Sequence, residues 1–508
     1  MNDSDRQSSS PPMPQSLPQS LPHAGAMSVF AIALLVGAIL LVVQNVIAVP
    51  FVFERNYNEG WNVYNTQRFF SGAVVYDDDL WRVNNYPPVS FLVVGTLDRV
   101  VGDLLLSGRL VALMSFAAVG ALAAIATARL GANRTAALFA GACALGFCYL
   151  AAPDWVATDD PQILAEAIML AGFVVYLAGR AGRARLLATA GLVMLAGFTK
   201  HNLVAIPIAI TLDLAIRSRG RLPFWLAACA GLAVIFWGLT VLGAGGSFLA
   251  HVLQPRAFAW RSVELHLLRF LAIFAAPIML TLWFSARLFT RDRLVLAVYG
   301  IVAIVCGALL SGFEGASYNM LQDAAIFLAI AAGLVVHELC RSSPAGTGWR
   351  AMLALVPLVI SLPIMVRVPR ALTEVYHLDR VLQSDRDAQQ SFLADAAYVS
   401  GRHGAAICES LLLCYRAGQP FGLDPFNSRQ NIMAGRLDQR PLVERVRAHE
   451  FAVVQLRAEI CDGPAAAGCS ILHDPAKILR FTDEFLHAID RDYRIDRRSP
   501  LGVFYVPK

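Results

Sequence analysis

Met27–Phe53 reads M-S-V-F-A-I-A-L-L-V-G-A-I-L-L-V-V-Q-N-V-I-A-V-P-F-V-F, without one charged side chain. An α-helix needs about 20 apolar residues to cross a hydrocarbon core, so this run is long enough to span. It is longer than the apolar core of a cleavable signal and lacks a basic segment before it, which predicts a retained first helix. The Ser/Pro/Gln-rich residues 1–25 ahead of it bury too little apolar surface to fold and are expected to be a disordered cytoplasmic tail. Working outward, the whole chain of 508 residues is 57% hydrophobic and only 16% charged, against about 25% for a soluble domain. The charge is uneven: 37 of the 142 residues from Arg367 to Lys508 are charged, the share of an ordinary soluble domain. The net charge of +5 is dispersed, with no basic block, which excludes a nucleic-acid partner.

Arginines orient the remaining apolar segments, because short cytoplasmic loops carry the Lys/Arg excess. They gather at Arg129 and Arg134, at Arg180, Arg183 and Arg185, at Arg217, Arg219 and Arg221, at Arg287, Arg291 and Arg293, and at Arg341 and Arg350. This regularity predicts about eleven transmembrane helices, near 27–50, 107–128, 135–152, 163–179, 186–199, 203–216, 224–243, 265–285, 294–311, 321–339 and 351–367. The fold class is therefore an α-helical polytopic membrane protein, with a membrane part over 26–367 and a small C-terminal α/β domain over 368–508 outside the membrane. In a bacterium this places the chain in the cytoplasmic (inner) membrane, with the N-terminus cytoplasmic and the C-terminal domain periplasmic or extracellular. The outer loop 51–106 is expected to hold interfacial helices: an amphipathic one over 58–70, and the apolar Val89–Leu97, too short to span. In the C-terminal part, helical patterns at 371–399, 440–449 and 479–492 alternate with β-type runs at 404–408, 451–456 and 502–506. Cys408 with Cys414 and Cys461 with Cys469 are the nearest pairs for disulfides, though four cysteines allow three connectivities.

Polar residues collect in the loops opposite the arginines. Glu59 lies in the first, Asp154, Asp159 and Asp160 in the second, Lys200 and His201 in the third, His251 and Arg256 in the fourth, Glu314, Tyr318 and Asn319 in the fifth. A carboxylate beside cations at a membrane surface suits transfer of a group from a lipid phosphate: the carboxylate takes a proton from the acceptor, the cations hold the departing phosphate. Each residue also has a plainer role open to it, a helix cap for Asp160 before Pro161 or an interfacial anchor for Lys200. Asp77, Asp78 and Asp79 form an acidic run of the kind a solvated loop carries, and no metal-ligand set is predicted.

Asn58-Glu59-Gly60, Phe70-Ser71-Gly72 with Val75-Tyr76, Asn85-Tyr86-Pro87-Pro88, Thr158-Asp159-Asp160-Pro161, Gly197-Phe198-Thr199-Lys200-His201 and Gly315-Ala316-Ser317-Tyr318-Asn319, in this order, resemble motifs of the GT-C superfamily of integral-membrane glycosyltransferases. The resemblance covers about residues 27–340 and is to the branch with the lipid A aminoarabinose transferase and the protein O-mannosyltransferases. It implies an inverting transfer of a hexosyl or pentosyl unit from a polyprenyl-phosphate donor to a glycan, lipid or protein acceptor on the outer face. It implies catalytic roles for Glu59 and for Asp159 or Asp160. Lys200, His201, His251 and Arg256 are the candidates for the donor phosphate, and Tyr57, Tyr86, Tyr318 and Asn319 for substrate contact. Asn58 stands where the family often has a second acid, so Glu59 is alone; no cofactor is certain, and a divalent cation stays open. The rival readings are a transporter or flippase of a lipid-linked sugar, and a membrane anchor displaying the C-terminal domain.

Overall fold

The computed structural model describes residues 22–179, 182–341, 347–460 and 480–508. Every apolar segment expected to span coincides with a helix: Pro22–Leu41, Leu104–Arg129, Arg134–Ala151, Pro161–Leu177, Arg183–Gly197, Ala205–Arg217, Leu222–Ala244, Trp260–Trp283, Leu294–Leu310, Gln322–Arg341 and Thr347–Met365. Among the described residues six helices are long and apolar enough to cross a membrane, or seven if the bent pair Ala354–Met365 and Val368–Tyr376 is one span. Pro161–Leu177, Arg183–Gly197 and Ala205–Arg217 are shorter, at 17, 15 and 13 residues. Residues 1–21 of the expected tail lie outside the described residues, and 22–25 already belong to the first helix.

Capping residues written in the sequence start the helices that carry the site. Asp103 accepts from Leu106 N at 2.9 Å, Asn133 from Ala136 N at 2.9 Å and Asp160 from Gln162 N at 2.8 Å, each satisfying a backbone donor that the first turn leaves open. Helix Gln322–Arg341 is the centre of the bundle, its apolar window 89% buried, whereas that of the Leu222–Ala244 region is 6% buried. The outer helix therefore turns Val234, Trp237, Leu239 and Leu242 outward, a face that only lipid covers favourably. Arg129, Arg217, Arg221, Arg287, Arg293 and Arg341 meet at one end of the bundle. Asp160 and Lys200 meet at the other: Pro161–Leu177 has Asp160 as its cap and Leu177 at the arginine end, about 25 Å of helix apart.

The C-terminal part carries a four-stranded mixed sheet of β1 (Ala405–Cys408), β2 (Phe451–Leu456), β3 (Tyr493–Ser499) and β4 (Gly502–Pro507) in the order β1-β2-β4-β3. β1 and β2 are parallel, and β4 is antiparallel to both β2 and β3. The three apolar strands match the β-type runs. β3 has no counterpart in the expectation because Arg494, Asp496 and Arg498 alternate along it and mask its strand character. Cys408 and Cys414 form a disulfide; Cys461 and Cys469 lie outside the described residues.

The first-loop helix, Tyr57–Phe70, corrects the expectation of an interfacial amphipathic helix. Ten of its 14 residues are buried, because the bundle packs on one side and the C-terminal helix Leu411–Arg416 on the other. Val63 and Leu105 share one apolar cluster with Leu412, Leu413, Val453 and Phe504, so the sheet layer sits directly over this helix. Gly60 explains the close approach: a Cβ there would lie 2.1 Å from the backbone nitrogen of Leu412. The polar face that suggested solvent points inward, Asn62 donating to Asp159 O at 2.7 Å and Asn65 to Trp61 O at 2.9 Å, while the amide oxygens of both are buried without a donor among the described residues. Val89–Val101 is a 13-residue helix packed against the first-loop helix and the start of Leu104–Arg129.

Candidate active site

Where the first-loop helix meets the C-terminal part, a cleft of about 250 Å³ opens between Tyr57, Asn58, Trp61, Tyr86, Trp155 and Phe426. Four arginines line it: Arg55, Arg256, Arg457 and Arg480. Three are pinned. Arg55 donates to Ala157 O at 2.8 Å, Arg457 to Glu54 Oε1 at 2.6 Å, and Arg480 lies 3.6 Å over the Tyr57 ring with Glu409 at 3.6 Å. Arg256 has no ion-pair or hydrogen-bond partner among the described residues and faces the Phe426 ring at 5.7 Å. Among the described residues lining the cleft there is no carboxylate, so its wall is cationic and aromatic.

One ion pair stands immediately behind that wall. Lys200 Nζ reaches Asp160 Oδ1 at 3.0 Å, both side chains buried. The other carboxylate oxygen accepts from Asn58 Nδ2 at 2.8 Å and Tyr86 OH at 3.4 Å, and both of these residues line the cleft. The capping and site roles of Asp160 thus coexist in one side chain. Lys200 also sits 4.8 Å over the Tyr86 ring; the neighbouring carboxylate and ring outweigh burial and hold its ammonium above the ordinary range. Lys200 is a permanent cation one layer from the cleft.

Glu59 is elsewhere. It has no exposed surface, and Arg109 grips it through both oxygens, Nε to Oε1 at 2.7 Å and NH2 to Oε2 at 2.8 Å. Arg55 N adds a third bond at 2.8 Å. Arg109 also donates to the carbonyls of Ala48, Val49, Phe51 and Phe53, at 3.2, 3.2, 2.6 and 2.7 Å. The chain leaving the first helix is thereby tied to the first-loop helix. Asp159 lies behind as well, against Gly108, where a Cβ would come within 2.2 Å of its carboxyl carbon. Burial, then the charges of Glu59 and Asp160, push the Asp159 carboxyl well above the usual carboxylate range, and no donor reaches its Oδ2.

The other expected residues divide. Tyr57 and Tyr86 line the cleft; Tyr57 OH donates to the buried Asp424 at 2.9 Å, which also accepts from Trp61 Nε1 at 2.7 Å. Asn319 stands one layer back. In the orientation that satisfies its amide it donates to Ser317 O and accepts from Trp155 Nε1, each at 3.2 Å. Tyr318 faces away, packed under Arg269 at 3.5 Å and against His266. His251 is a brace rather than a cleft residue: its Nδ1 accepts from Asn84 N at 3.0 Å and its Nε2 meets Asp77 O at 2.6 Å, so both nitrogens are occupied. Burial holds that imidazole below its ordinary pKa, in keeping with the neutral form the two bonds require. Crowding by protein atoms, then the charges of Arg256 and Lys200, lower His201 to about 4, so a neutral imidazole stands there near pH 7. Asp77 pairs with Arg68 at 3.0 Å, Asp79 with Arg82 at 2.7 Å, and Asp78 with Ser247. Among the described residues no three His, Cys, Asp or Glu side chains are grouped to hold a metal ion.

Sequence reasoning missed Arg55, Arg109, Arg457, Arg480 and Trp155. Arg109 carried a readable signal, a lone arginine at the end of a span opposite the arginine loops, which is the argument that singled out Lys200. Arg457 and Arg480 had none, being two charges in a domain of ordinary charge content.

Solved structures share this fold. ArnT from Cupriavidus metallidurans bound to undecaprenyl phosphate aligns with a TM-score of 0.56 at 14% identity, over 95% of this chain and 98% of that one. Its apo state gives 0.60 at 13% identity with the same coverage. This chain is similar to ArnT in fold. The Archaeoglobus fulgidus oligosaccharyltransferase tethered to an acceptor peptide gives 0.52 at 11% identity, over 84% of this chain and 69% of that one. No family profile matches the sequence, and no curated protein sequence does. The likeness extends through the C-terminal layer, since the alignment to ArnT spans nearly all of both chains.

Proposed function

We propose that this protein is an inverting glycosyltransferase that moves a sugar from a polyprenyl-phosphate donor to an acceptor on the outer face of the cytoplasmic membrane. The observation that carries the reading is the cleft walled by Arg55, Arg256, Arg457 and Arg480 with the Asp160–Lys200 pair one layer behind it. The fold shared with ArnT supports it, and so does the undecaprenyl phosphate bound by that protein. In the proposed reaction the acceptor oxygen bonds to the anomeric carbon as the bond from that carbon to the phosphate oxygen breaks. The electron pair leaves on the phosphate, and attack from the opposite face inverts the centre. Preorganised arginines stabilise the charge that grows on the phosphate, an effect strengthened where water is excluded. Arg256, which has no ion-pair partner among the described residues, contacts the phosphate directly. Tyr86 OH passes its proton to Asp160 Oδ2 as its oxygen takes the acceptor proton, and Lys200 and Asn58 orient the carboxylate. Glu59 positions the loop through Arg109.

The test compares lipid extracts and envelope glycans by mass spectrometry, in a host lacking the native copy and complemented with wild type or Arg256→Gln at equal level. Accumulated polyprenyl-phosphate sugar together with one missing glycan residue in the variant is the expected result. Unchanged extracts and glycans in both variant and deletion would overturn the transferase reading, and a lipid-linked sugar trapped on the inner leaflet would replace it with transport.

A further inference from the structure

At the end of the bundle opposite the cleft, a cavity of about 1040 Å³ is walled by Arg129, Arg217, Arg221, Arg287, Arg293 and Arg341, with Asp213, Asp292 and Glu338 among them. Two of the arginines are fixed by these acids. Arg217 meets Asp213 at 3.4 Å and Asp292 at 3.2 Å, and Arg293 meets Glu338 at 3.1 Å and the Leu130 carbonyl at 3.0 Å. Asp213 is itself buried and accepts from Tyr176 OH at 2.5 Å, so the acid beneath Arg217 is held in turn. Arg129, Arg221 and Arg341 have no hydrogen-bond or ion-pair partner among the described residues.

The preference of arginine for one membrane face accounts for guanidinium groups at this end. It does not account for their convergence from the ends of separate helices on one cavity, with buried acids setting the orientation of two of them. Six guanidinium groups against three carboxylates leave an excess of positive charge that a multivalent anion would neutralise. Apolar side chains of Leu130, Leu177, Leu214 and Val295 share the lining with Tyr176, whose hydroxyl is held by Asp213, and with Ser218 and Thr290, whose hydroxyl groups can donate to a phosphate. Beside it, Leu212 and Ile216 turn outward on the helix that carries Asp213 and Arg217. An anionic head with an apolar body matches that combination, as basic pockets between membrane helices match lipid headgroups.

We propose that this cavity binds the phosphate-bearing headgroup of an anionic phospholipid, independently of the chemistry at the opposite end. The test is native mass spectrometry of the full chain in detergent, titrated with cardiolipin, with phosphatidylcholine as the zwitterionic probe and inorganic pyrophosphate as the free-anion competitor. Wild type is expected to retain one cardiolipin in preference to phosphatidylcholine. The double variant Arg129→Gln/Arg221→Gln should bind it roughly 30-fold more weakly, at about five-fold for each arginine. Neither arginine has a hydrogen-bond or ion-pair partner among the described residues to lose, and an unchanged thermal midpoint checks that the variant folds. Arg261→Gln, exposed and paired with Glu264 in the first turn of the helix Trp260–Trp283 at the other end, should bind as wild type does. Equal cardiolipin binding by wild type and double variant, or an equal loss in Arg261→Gln, would overturn the site. Displacement of cardiolipin by micromolar pyrophosphate would overturn the lipid assignment in favour of a soluble phosphate.

Discussion

Two buried ion pairs lie next to each other under the cleft, and they differ in what else reaches them. Glu59 and Arg109 have no exposed side-chain surface; Glu59 takes four donors to its two oxygens, and Arg109 spends its remaining N–H groups on four backbone carbonyls. Asp160 and Lys200 are nearly as buried, but the carboxylate is shared with Asn58 and Tyr86, which form the cleft wall. A backbone nitrogen connects the two regions, Asp159 N reaching Glu59 Oε1 at 3.4 Å. A pair whose capacity is used up by the fold can hold structure; a pair with partners at a cleft can also pass an effect into it. Burial alone does not separate the two cases, whereas the identity of the remaining partners does.

The largest effect should come from breaking the closed pair. Arg109→Met would leave Glu59 charged and unpaired in the interior, a loss of about 3–5 kcal/mol. The thermal midpoint of the purified protein in detergent is expected to fall sharply, with loss of folded yield. Adding Glu59→Leu should not restore it, because the carbonyls of Ala48, Val49, Phe51 and Phe53 would still lack their donors. A variant at Arg109 that keeps its midpoint but transfers no sugar would break the comparison and return Glu59 to the chemistry.

The open pair should show the reverse balance. In Lys200→Met, Asp160 keeps Asn58, Tyr86 and the Gln162 backbone nitrogen, so the expected stability loss is about 1–3 kcal/mol. Turnover per folded molecule should drop about 100- to 1000-fold, the range for losing a preorganised charge beside a reacting centre. Unfolding as complete as that of Arg109→Met would make both pairs structural. A smaller change is expected for Arg480→Gln, which removes one cation from the cleft wall: KM for the lipid-linked donor should rise about ten- to hundred-fold. A fall in kcat with KM unchanged would instead move Arg480 from binding to the transition state.

The contrast also shows what the sequence could and could not reveal. The helical bundle was legible because apolar length and arginine spacing are properties of consecutive residues, and the caps Asp103, Asn133 and Asp160 sit directly before the helices they start. Lys200 and Asp160 were legible as polar residues on the sparsely charged face. Their pairing across 40 positions was not, nor was the burial of Tyr57–Phe70, because the helix Leu411–Arg416 that covers it lies about 350 residues away in sequence. Arg457 and Arg480 enter the cleft through the same long-range packing. Local pattern carries the elements; the wall of the site is a product of how the C-terminal layer docks.

The smallest effect separates braces from reacting groups by pH. His251 ties Asn84 N to Asp77 O, and it accepts on Nδ1 only while neutral. Burial lowers its folded-state pKa, so the unfolded chain binds more protons than the folded one between the two pKa values. Its contribution to stability is therefore complete above the unfolded value of about 6.5 and is lost as pH falls through the folded value. The thermal midpoint should thus decline between about pH 7 and pH 5, and His251→Gln, whose amide offers one acceptor and one donor, should flatten the upper part of that decline. His251 would be a phosphate ligand rather than a brace if the variant kept the wild-type midpoint curve while KM for the donor rose.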